Sequence, residues 1–404
     1  MGGWAKAVGN TVTHAALKPG RIGPLETRNR IVKTATFEGM TDEGRVTDDL
    51  IAHHAGMAAR GVALTTVAYG AVEANGRTFS RQLLVDGDSM PGLAALARAV
   101  HEYGGAVSLQ LAHCGGFSKL ASPPRGPSSG WNAYGVASGR PRVQALRSED
   151  LPRIVEAFVQ AARTAASAGF DAVEIHCGHG YLLSQFLSPV LNQRTDAWGG
   201  SLENRLRLPT EVIRRVVDAV GDRMAVLAKI NLSDGVRGGL QVSDSPIIAR
   251  AMASAGAHGL VTSGGLVQRS AFYLMRGAVP LKQMAAADPS VLQRLALRLF
   301  GAVLVRPYPW SPGFFLEPGQ AVLDAVNIPV VALGGLDSAA TLTQALDQGY
   351  SFTAMGRTLL ADPDFVQRLV AGDSPVSRCN HCNHCVAEMD HQGVRCVLPP
   401  LPPA

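Results

Sequence analysis

Long apolar runs, clustered charge and aromatic side chains are all scarce in this sequence of 404 residues. Charged residues make up 17% of it and aromatic residues 6%, and nowhere do five basic residues follow one another. With 47% hydrophobic residues, this composition excludes a disordered chain and a polyanion-binding tail. No uncharged apolar run reaches the roughly 18 residues of a transmembrane helix, and the N-terminus lacks a signal-peptide core. We therefore expect a globular, cytoplasmic protein with no membrane span and no nucleic-acid partner.

Cysteine is also scarce, except near the C-terminus. Cys379, Cys382, Cys385 and Cys396 are separated by two, two and ten residues. Three thiolates at this spacing, with a fourth on a returning segment, suit an iron–sulfur cluster. His381 lies among them, so a structural zinc site is equally reasonable in physical terms. The sequence leaves three alternatives open: a [4Fe–4S] cluster, a zinc ion, or a tail without metal.

Short β-branched apolar runs alternate along the chain with longer segments of helical spacing. Eight such strands alternating with helices predict a (β/α)8 TIM barrel. A doubly wound open sheet would want a Gly-x-Gly-x-x-Gly turn after its first strand, where this chain has Thr36-Phe37-Glu38-Gly39-Met40. The predicted strands are residues 30–36, 62–67, 106–111, 172–176, 226–231, 259–262, 329–333 and 352–355.

Two segments do not fit a plain barrel. Residues 272–317 make a long connection between the sixth and seventh strands, and we expect either a peripheral helix or a substrate lid there. The other segment is the cysteine-rich extension at the C-terminus. We therefore predict a barrel over residues 1–376 and a Cys-rich tail over residues 377–404.

The ends of the predicted strands carry polar residues and glycines. In such barrels the chemistry lies at the C-terminal ends of the strands. Glycines after strands seven and eight, with Arg357 beside them, predict a phosphate site. Gln110 and Lys229 are polar residues within apolar strands, so each requires a partner in the barrel mouth.

The fourth strand is followed by the most informative motif. His176-Cys177-Gly178-His179 precedes Gly180-Tyr181, which places two imidazoles and a phenol at one strand end. This set suits a reaction that polarises a carbonyl and protonates a carbon, because a phenol ordinarily keeps its proton at neutral pH. His-x-x-His could instead bind a metal, but no third ligand is evident at another strand end.

The stretch from Ile175 to Arg205 closely resembles the old yellow enzyme family of flavin-dependent ene-reductases, and the resemblance extends from about Leu17 to Phe365. It implies an FMN-dependent enzyme that reduces activated C=C bonds of α,β-unsaturated carbonyl compounds with NAD(P)H. It also implies that His176 and His179 hold the substrate carbonyl and that Tyr181 protonates the α-carbon. The FMN-binding residues that it implies, together with the strand-end glycines, are Ala35, Thr36, Gln110, Lys229, Gly334, Gly335, Gly356 and Arg357.

Some family members carry a cysteine and a tyrosine where this chain has Phe37 and Gly39, so substrate shape and redox potential are expected to differ. The related iron–sulfur flavoproteins have a cysteine tail similar to this one. One alternative is therefore an iron–sulfur flavoprotein that oxidises its substrate or exchanges electrons with a partner. A non-enzymatic flavin- or metal-binding protein is the other. The sequence leaves open whether the chain acts alone or as a homo-oligomer.

Overall fold

Eight parallel strands close into a barrel in this computed structural model, which describes residues 14–288, 290–389 and 393–399. Around the barrel the eight strands follow one another in chain order, and the last pairs with the first. The predicted (β/α)8 fold is therefore confirmed, and each predicted barrel strand overlaps an observed one. In chain order the strands are β1 (Gly20–Ile22), β2 (Leu25–Thr27), β3 (Ile31–Lys33), β4 (Leu64–Ala71), β5 (Ala106–Ala112), β6 (Arg125–Gly126), β7 (Gly130–Trp131), β8 (Arg142–Ala145), β9 (Ala172–Cys177), β10 (Ala225–Asn231), β11 (Gly259–Ser263), β12 (Val330–Leu333) and β13 (Phe352–Met355).

Helices separate the barrel strands and cover the outside of the barrel. Ser201 begins one of them as expected for an N-cap, because its hydroxyl accepts a hydrogen bond from the backbone N–H of Asn204 at 3.2 Å. The α-helices of the described residues are α1 (Asp48–Ala59), α2 (Met90–Glu102), α3 (Leu151–Ser167), α4 (Leu182–Leu187), α5 (Leu202–Val220), α6 (Ser245–Ser254), α7 (Val267–Met275), α8 (Leu281–Ala287), α9 (Val291–Leu304), α10 (Leu316–Leu323), α11 (Ala339–Asp347), α12 (Arg357–Ala361), α13 (Phe365–Val370) and α14 (His384–Glu388).

The core has two layers. One layer consists of side chains inside the barrel, among them Val32, Leu227 and Phe352. They fill its lower half, which is the half away from the C-terminal ends of the strands. A larger layer lies between the strands and the surrounding helices. Strands that are buried on both faces consist of continuous apolar runs, and for this reason they can be predicted from the sequence.

Two small sheets lie outside the barrel. β1 and β2 form an antiparallel hairpin, and Ile22 of β1 packs into the lower barrel core. β6, β7 and β8 form a three-stranded sheet after β5. Neither was predicted, because their two- to four-residue strands give no periodic signal.

The long connection between β11 and β12 contains helices α7 to α10, and side chains from α7, α8 and α9 line the cavity at the barrel mouth. The tail then returns to the barrel loops. The N–H of Ala278 donates to the carbonyl of His381, and the N–H of Val394 donates to the carbonyl of Glu38. The domain boundary at residue 376 stays a prediction. No helix among the described residues is long and apolar enough to cross a membrane.

Candidate active site

A cavity of about 750 Å³ lies at the C-terminal ends of the barrel strands. Every residue predicted to act in catalysis or to bind FMN lines it, as do the tail residues Cys379 and Cys385. This volume is typical of a site for a cofactor or a small ligand. The barrel therefore brings together residues that are more than 300 positions apart in the sequence, from Ala35 to Arg357.

His176 and His179 lie next to each other at the end of β9, with ring centroids 4.9 Å apart. His179 has a left-handed backbone conformation (φ 60°), which the side chain of Asn231 supports by accepting from the His179 N–H at 3.0 Å. Burial lowers the pKa of His176 well below its ordinary value, and it lowers the pKa of His179 to about 3; Lys229 adds to both shifts. Both rings are therefore neutral near pH 7, and a neutral imidazole donates only one hydrogen bond.

The surrounding hydrogen bonds indicate where those protons lie. Nδ1 of His176 accepts from the N–H of Gly178 at 3.3 Å, so its proton is on Nε2. Nε2 of His179 lies 2.7 Å from the hydroxyl of Ser263. If that hydroxyl donates to Nε2, the His179 proton is on Nδ1. Each ring then has one N–H for a ligand in the cavity.

Tyr181 packs against this pair. Its ring is stacked on the ring of His176, with centroids 4.4 Å apart and planes inclined by 27°. Tyr69 and Phe117 meet Tyr181 edge-on at 4.9 and 5.0 Å. Tyr181 is therefore a buried member of an aromatic cluster at the cavity wall, with its ring orientation fixed by three neighbours.

At the bottom of the cavity, an acidic residue joins the two predicted polar residues. Nζ of Lys229 lies 2.9 Å from Oε1 of Glu174, and the side-chain amide of Gln110 donates to the same oxygen at 2.5 Å. All three side chains are almost completely buried. Glu174 is thus the protein partner that Gln110 and Lys229 require, and sequence reasoning missed it. Its signal was a carboxylate within the apolar run Ala172-Val173-Glu174-Ile175.

Lys229 and Gln110 retain hydrogen-bonding groups that the protein does not use, and these groups fit a flavin. Lys229 has three N–H groups, of which Glu174 and the hydroxyl of Thr34 (3.2 Å) use two. Gln110 keeps its amide oxygen, since its bond to Glu174 uses the amide N–H. One cationic donor and one acceptor therefore remain on the cavity floor. This combination suits the donor and acceptor edge of a flavin pyrimidine.

The residues predicted to bind the phosphate line the cavity at the ends of β12 and β13. Gly334 and Gly335 have φ angles of 106° and 74°, and a Cβ on Gly335 would lie 2.6 Å from the carbonyl oxygen of Ser311. Only glycine fits there, because the segment before α10 packs directly against this strand end. Arg357 lines the same region, and its guanidinium donates to the carbonyl of Arg276 at 2.9 Å and to the side chain of Asn383.

The loop that carries Ala35 and Thr36 is supported from behind by a buried ion pair. Nζ of Lys33 lies 2.6 Å from Oε1 of Glu38, and Oε2 of Glu38 accepts from the N–H of Ala68 at 3.0 Å. Glu38, His53 and His54 have potential ligand atoms within 4.8 Å of one another. The ammonium group of Lys33 opposes a metal ion there, so we interpret the group as structural.

The four tail cysteines are partly buried, and none of them is paired in a disulfide. Burial raises the pKa of Cys379, and it raises the pKa of Cys385 to about 11. The ring of His381 is stacked on Trp310 with centroids 3.8 Å apart, and its Nδ1 lies 3.7 Å from the sulfur of Cys379. Tyr69 and Trp310 also line the cavity without having been predicted as site residues.

Comparisons with known proteins agree on the kind of protein. A sequence model of the NADH:flavin oxidoreductase / NADH oxidase family matches residues 16–268. The chain is 39% identical over 392 residues to a 4,4'-dithiodibutanoate disulfide reductase from Rhodococcus erythropolis, covering 96% of this chain and 95% of that protein. It is 30% identical to an NADH oxidase from Thermoanaerobacter brockii, over 91% of this chain and 52% of that protein, and so spans about half of the latter's length.

Among solved structures, an old yellow enzyme homologue from Zymomonas mobilis superposes with a TM-score of 0.67 at 22% identity. The match covers 90% of this chain and 94% of that one. At this identity the likeness shows a shared fold.

Proposed function

The chain belongs to the NADH:flavin oxidoreductase / NADH oxidase family, and on that premise we propose that it reduces the activated C=C bond of an α,β-unsaturated carbonyl compound. The predicted relation to old yellow enzymes is confirmed, and the chain is an oxidoreductase that uses FMN and NAD(P)H. The observation that carries the proposal is the pair of neutral imidazoles beside a stacked tyrosine at the cavity wall. The same constellation argues against a protein that only carries a flavin.

In the proposed reaction the two histidines bind the substrate carbonyl. Bound FMN would supply the two-electron chemistry that links oxidation of NAD(P)H to hydride addition at the β-carbon of the substrate. Negative charge then develops on the carbonyl oxygen, where the N–H groups of His176 and His179 stabilise it. Donors that are fixed before the reaction contribute roughly 10²–10³ each in rate at comparable oxyanion sites. Tyr181 completes the addition by giving its phenolic proton to the α-carbon.

Residues at two polar regions of the cavity would hold FMN. Lys229 and Gln110 would bind its pyrimidine edge, and Ala35 and Thr36 would pack against its ring system. Gly334, Gly335, Gly356 and Arg357 would hold its phosphate. Because Glu174 is paired with Lys229 at 2.9 Å, the cation next to the flavin is partly neutralised. That pairing would lower the potential of a bound flavin relative to a site with an unpaired lysine.

Reductive cleavage of a disulfide is a second candidate, favoured by the 39% identity to 4,4'-dithiodibutanoate disulfide reductase. Two electrons and two protons would convert one disulfide into two thiols. The barrel cysteines Cys114 and Cys177 are completely buried, and burial raises the pKa of Cys114 to about 12. A thiol relay through them is therefore disfavoured, so the disulfide would have to be reduced directly at the flavin.

For the tail we propose a [4Fe–4S] cluster bound by Cys379, Cys382, Cys385 and Cys396, a group whose chemistry is one-electron transfer. Zinc–sulfur bonds of about 2.3 Å would bring four thiolates within roughly 4 Å of each other. Among the described residues, only Glu38, His53 and His54 gather three potential ligand atoms within 4.8 Å. No three of the tail thiols, all of which lie in the described part of the chain, come within that distance, and the two-residue spacing of the first three cysteines supports a cluster. A cluster would also be consistent with the alternative of a flavoprotein that exchanges electrons with a partner.

One experiment tests the function and separates the two candidates. Flavin released by heat from the purified protein should be FMN, at about one per chain. Anaerobic oxidation of NADH or NADPH should then be accelerated by cyclohexenone. Acceleration by 4,4'-dithiodibutanoate and not by cyclohexenone would select disulfide reduction. A protein that binds no FMN even after reconstitution would contradict both.

A further inference from the structure

Helix α9 (Val291–Leu304) presents an apolar face to solvent. Leu295, Leu299 and Val303 are 52%, 64% and 88% exposed. The residues that the structure describes include thirteen exposed large hydrophobic side chains, and seven of them belong to this one helix. Such a concentration marks an interaction surface, since single exposed hydrophobics are normally scattered.

The geometry of the helix separates two apolar sides. Val291, Leu295, Leu299 and Val303 follow at intervals of four residues, so they form one stripe along the helix. On another side, the helix packs against α8: a Cβ on its buried Gly301 would lie 2.9 Å from the side chain of Leu281. Further α9 residues, including Leu297, line the cavity. The helix is therefore a wall between the cavity and the solvent-facing stripe.

The charges around the stripe have one sign. Arg294 and Arg298 belong to the same helix, and Arg306 follows it. From residue 290 to residue 316 the sequence contains no aspartate or glutamate. Among the described residues, no carboxylate lies within ion-pair distance of these three arginines. The apolar stripe is thus accompanied by positive charge that is not neutralised by a carboxylate of the protein.

We propose that α9 docks this protein on an anionic lipid surface, with the stripe in the interfacial region and the arginines against lipid headgroups. Interfacial helices combine an apolar face with basic residues in this way, and they lie in the plane of the membrane without spanning it. The fourteen-residue helix is about 21 Å long, enough to rest on the surface over several lipids.

The charge pattern favours lipid over a second copy of this chain. A twofold interface would place the same helix on both partners, so the arginines of one copy would face a segment, residues 290–316, that contains no aspartate or glutamate. Like charges brought together in an interface are costly. Anionic headgroups complement them instead.

The test uses the full-length, FMN-loaded protein and sedimentation with vesicles. Phosphatidylcholine vesicles containing phosphatidylglycerol should carry the protein into the pellet, and vesicles of phosphatidylcholine alone should carry much less. Binding should weaken as salt is raised. Arg298→Gln should weaken partition about fivefold, since a basic residue near an anionic surface contributes about that much.

The stripe itself is tested by Leu295→Glu with Leu299→Glu and Val303→Glu, side chains that do not line the cavity. This variant should lose vesicle binding and keep its FMN spectrum and enone reductase activity. Ile247→Glu, an exposed apolar residue on the distant helix α6, is the matched control and should bind as the parent does. Parental binding by the triple variant, or no binding by the parent at low salt, would overturn the proposal. So would a parent that forms a dimer in solution, does not bind vesicles, and becomes monomeric in the triple variant.

Discussion

The ring of Tyr181 is stacked on the ring of His176, with centroids 4.4 Å apart and planes inclined by 27°. The proposed proton donor is therefore in contact with one of the two histidines that are proposed to donate hydrogen bonds to the substrate carbonyl. Tyr181→Phe keeps that stacking and removes only the hydroxyl. Reduction of the flavin by NAD(P)H should proceed at the parental rate, because it involves no protonation of a substrate carbon. Oxidation of the reduced flavin by an enone should slow by about 10²-fold or more, the usual contribution of a general acid.

Stopped-flow absorbance of the two half-reactions measures this division. Tyr103→Phe, which alters an exposed tyrosine beyond the end of α2, serves as the control and should affect neither half-reaction. An unchanged oxidative half-reaction in Tyr181→Phe would show that another group protonates the substrate.

Glu174 is predicted to lower the potential of the bound flavin. Glu174→Gln removes the carboxylate 2.9 Å from Lys229 and keeps a side chain that can bond to Gln110. Adding electrons to the flavin should then be easier, and its midpoint potential should rise by about 30 mV or more, equivalent to about 1.4 kcal/mol for two electrons. Glu156→Gln, on the outer helix α3, should leave the potential where it was. A potential that falls in Glu174→Gln would place the flavin edge elsewhere.

The fold was predictable because strands buried on both faces are continuous apolar runs, as in β9 and β10. The His176–Tyr181 motif and the strand-end glycines were predictable because they follow those strands directly. Glu174 was missed, although Gln110 pairs with it in register across β5 and β9. Recognising that partner requires the order of strands around the barrel, which no local pattern contains. The exposed stripe on α9 was missed for a similar reason: the sequence shows apolar spacing there but not which face is covered.

The buried histidines make stability sensitive to acid. An unfolded histidine binds a proton as the pH falls below about 6.5, whereas burial keeps the pKa of folded His179 at about 3. The unfolded state therefore binds more protons in this interval, and the free energy of unfolding falls as the pH is lowered through it. His179→Asn should reduce that slope by up to about 1.4 kcal/mol per pH unit.

Urea unfolding of the parent and of His179→Asn, at several pH values from about 7 down to about 5, measures the two slopes. Identical slopes would mean that His179 takes up a proton in the folded protein over the same pH interval as in the unfolded one. The assignment of His176 and His179 as neutral hydrogen-bond donors, on which the proposed carbonyl site depends, would then be wrong.

The tail should lose its metal when two of its cysteines are replaced. Cys379→Ser with Cys382→Ser leaves only two thiols, too few for a [4Fe–4S] cluster. Iron and acid-labile sulfide in anaerobically purified protein should disappear, while most of the FMN remains. Asn380→Ser, which changes an exposed residue between the same two cysteines, should keep both. A parent with neither iron nor zinc would leave the tail as a packed extension, and a parent with zinc alone would contradict the cluster.

The rate of the oxidative half-reaction in a variant that lacks both imidazoles is the most direct test of the proposed carbonyl site. His176→Ala with His179→Ala removes the two N–H donors and leaves Lys229, Gln110 and the glycines that are proposed to bind FMN. After reduction with NAD(P)H, mixing with cyclohexenone should reoxidise the flavin at least about 10²-fold more slowly than in the parent. The variant should also lose binding of phenols, whose oxygen resembles the enolate. Reoxidation at the parental rate by an FMN-loaded double variant would contradict the assignment of His176 and His179, and with it the proposed enone reduction at this site.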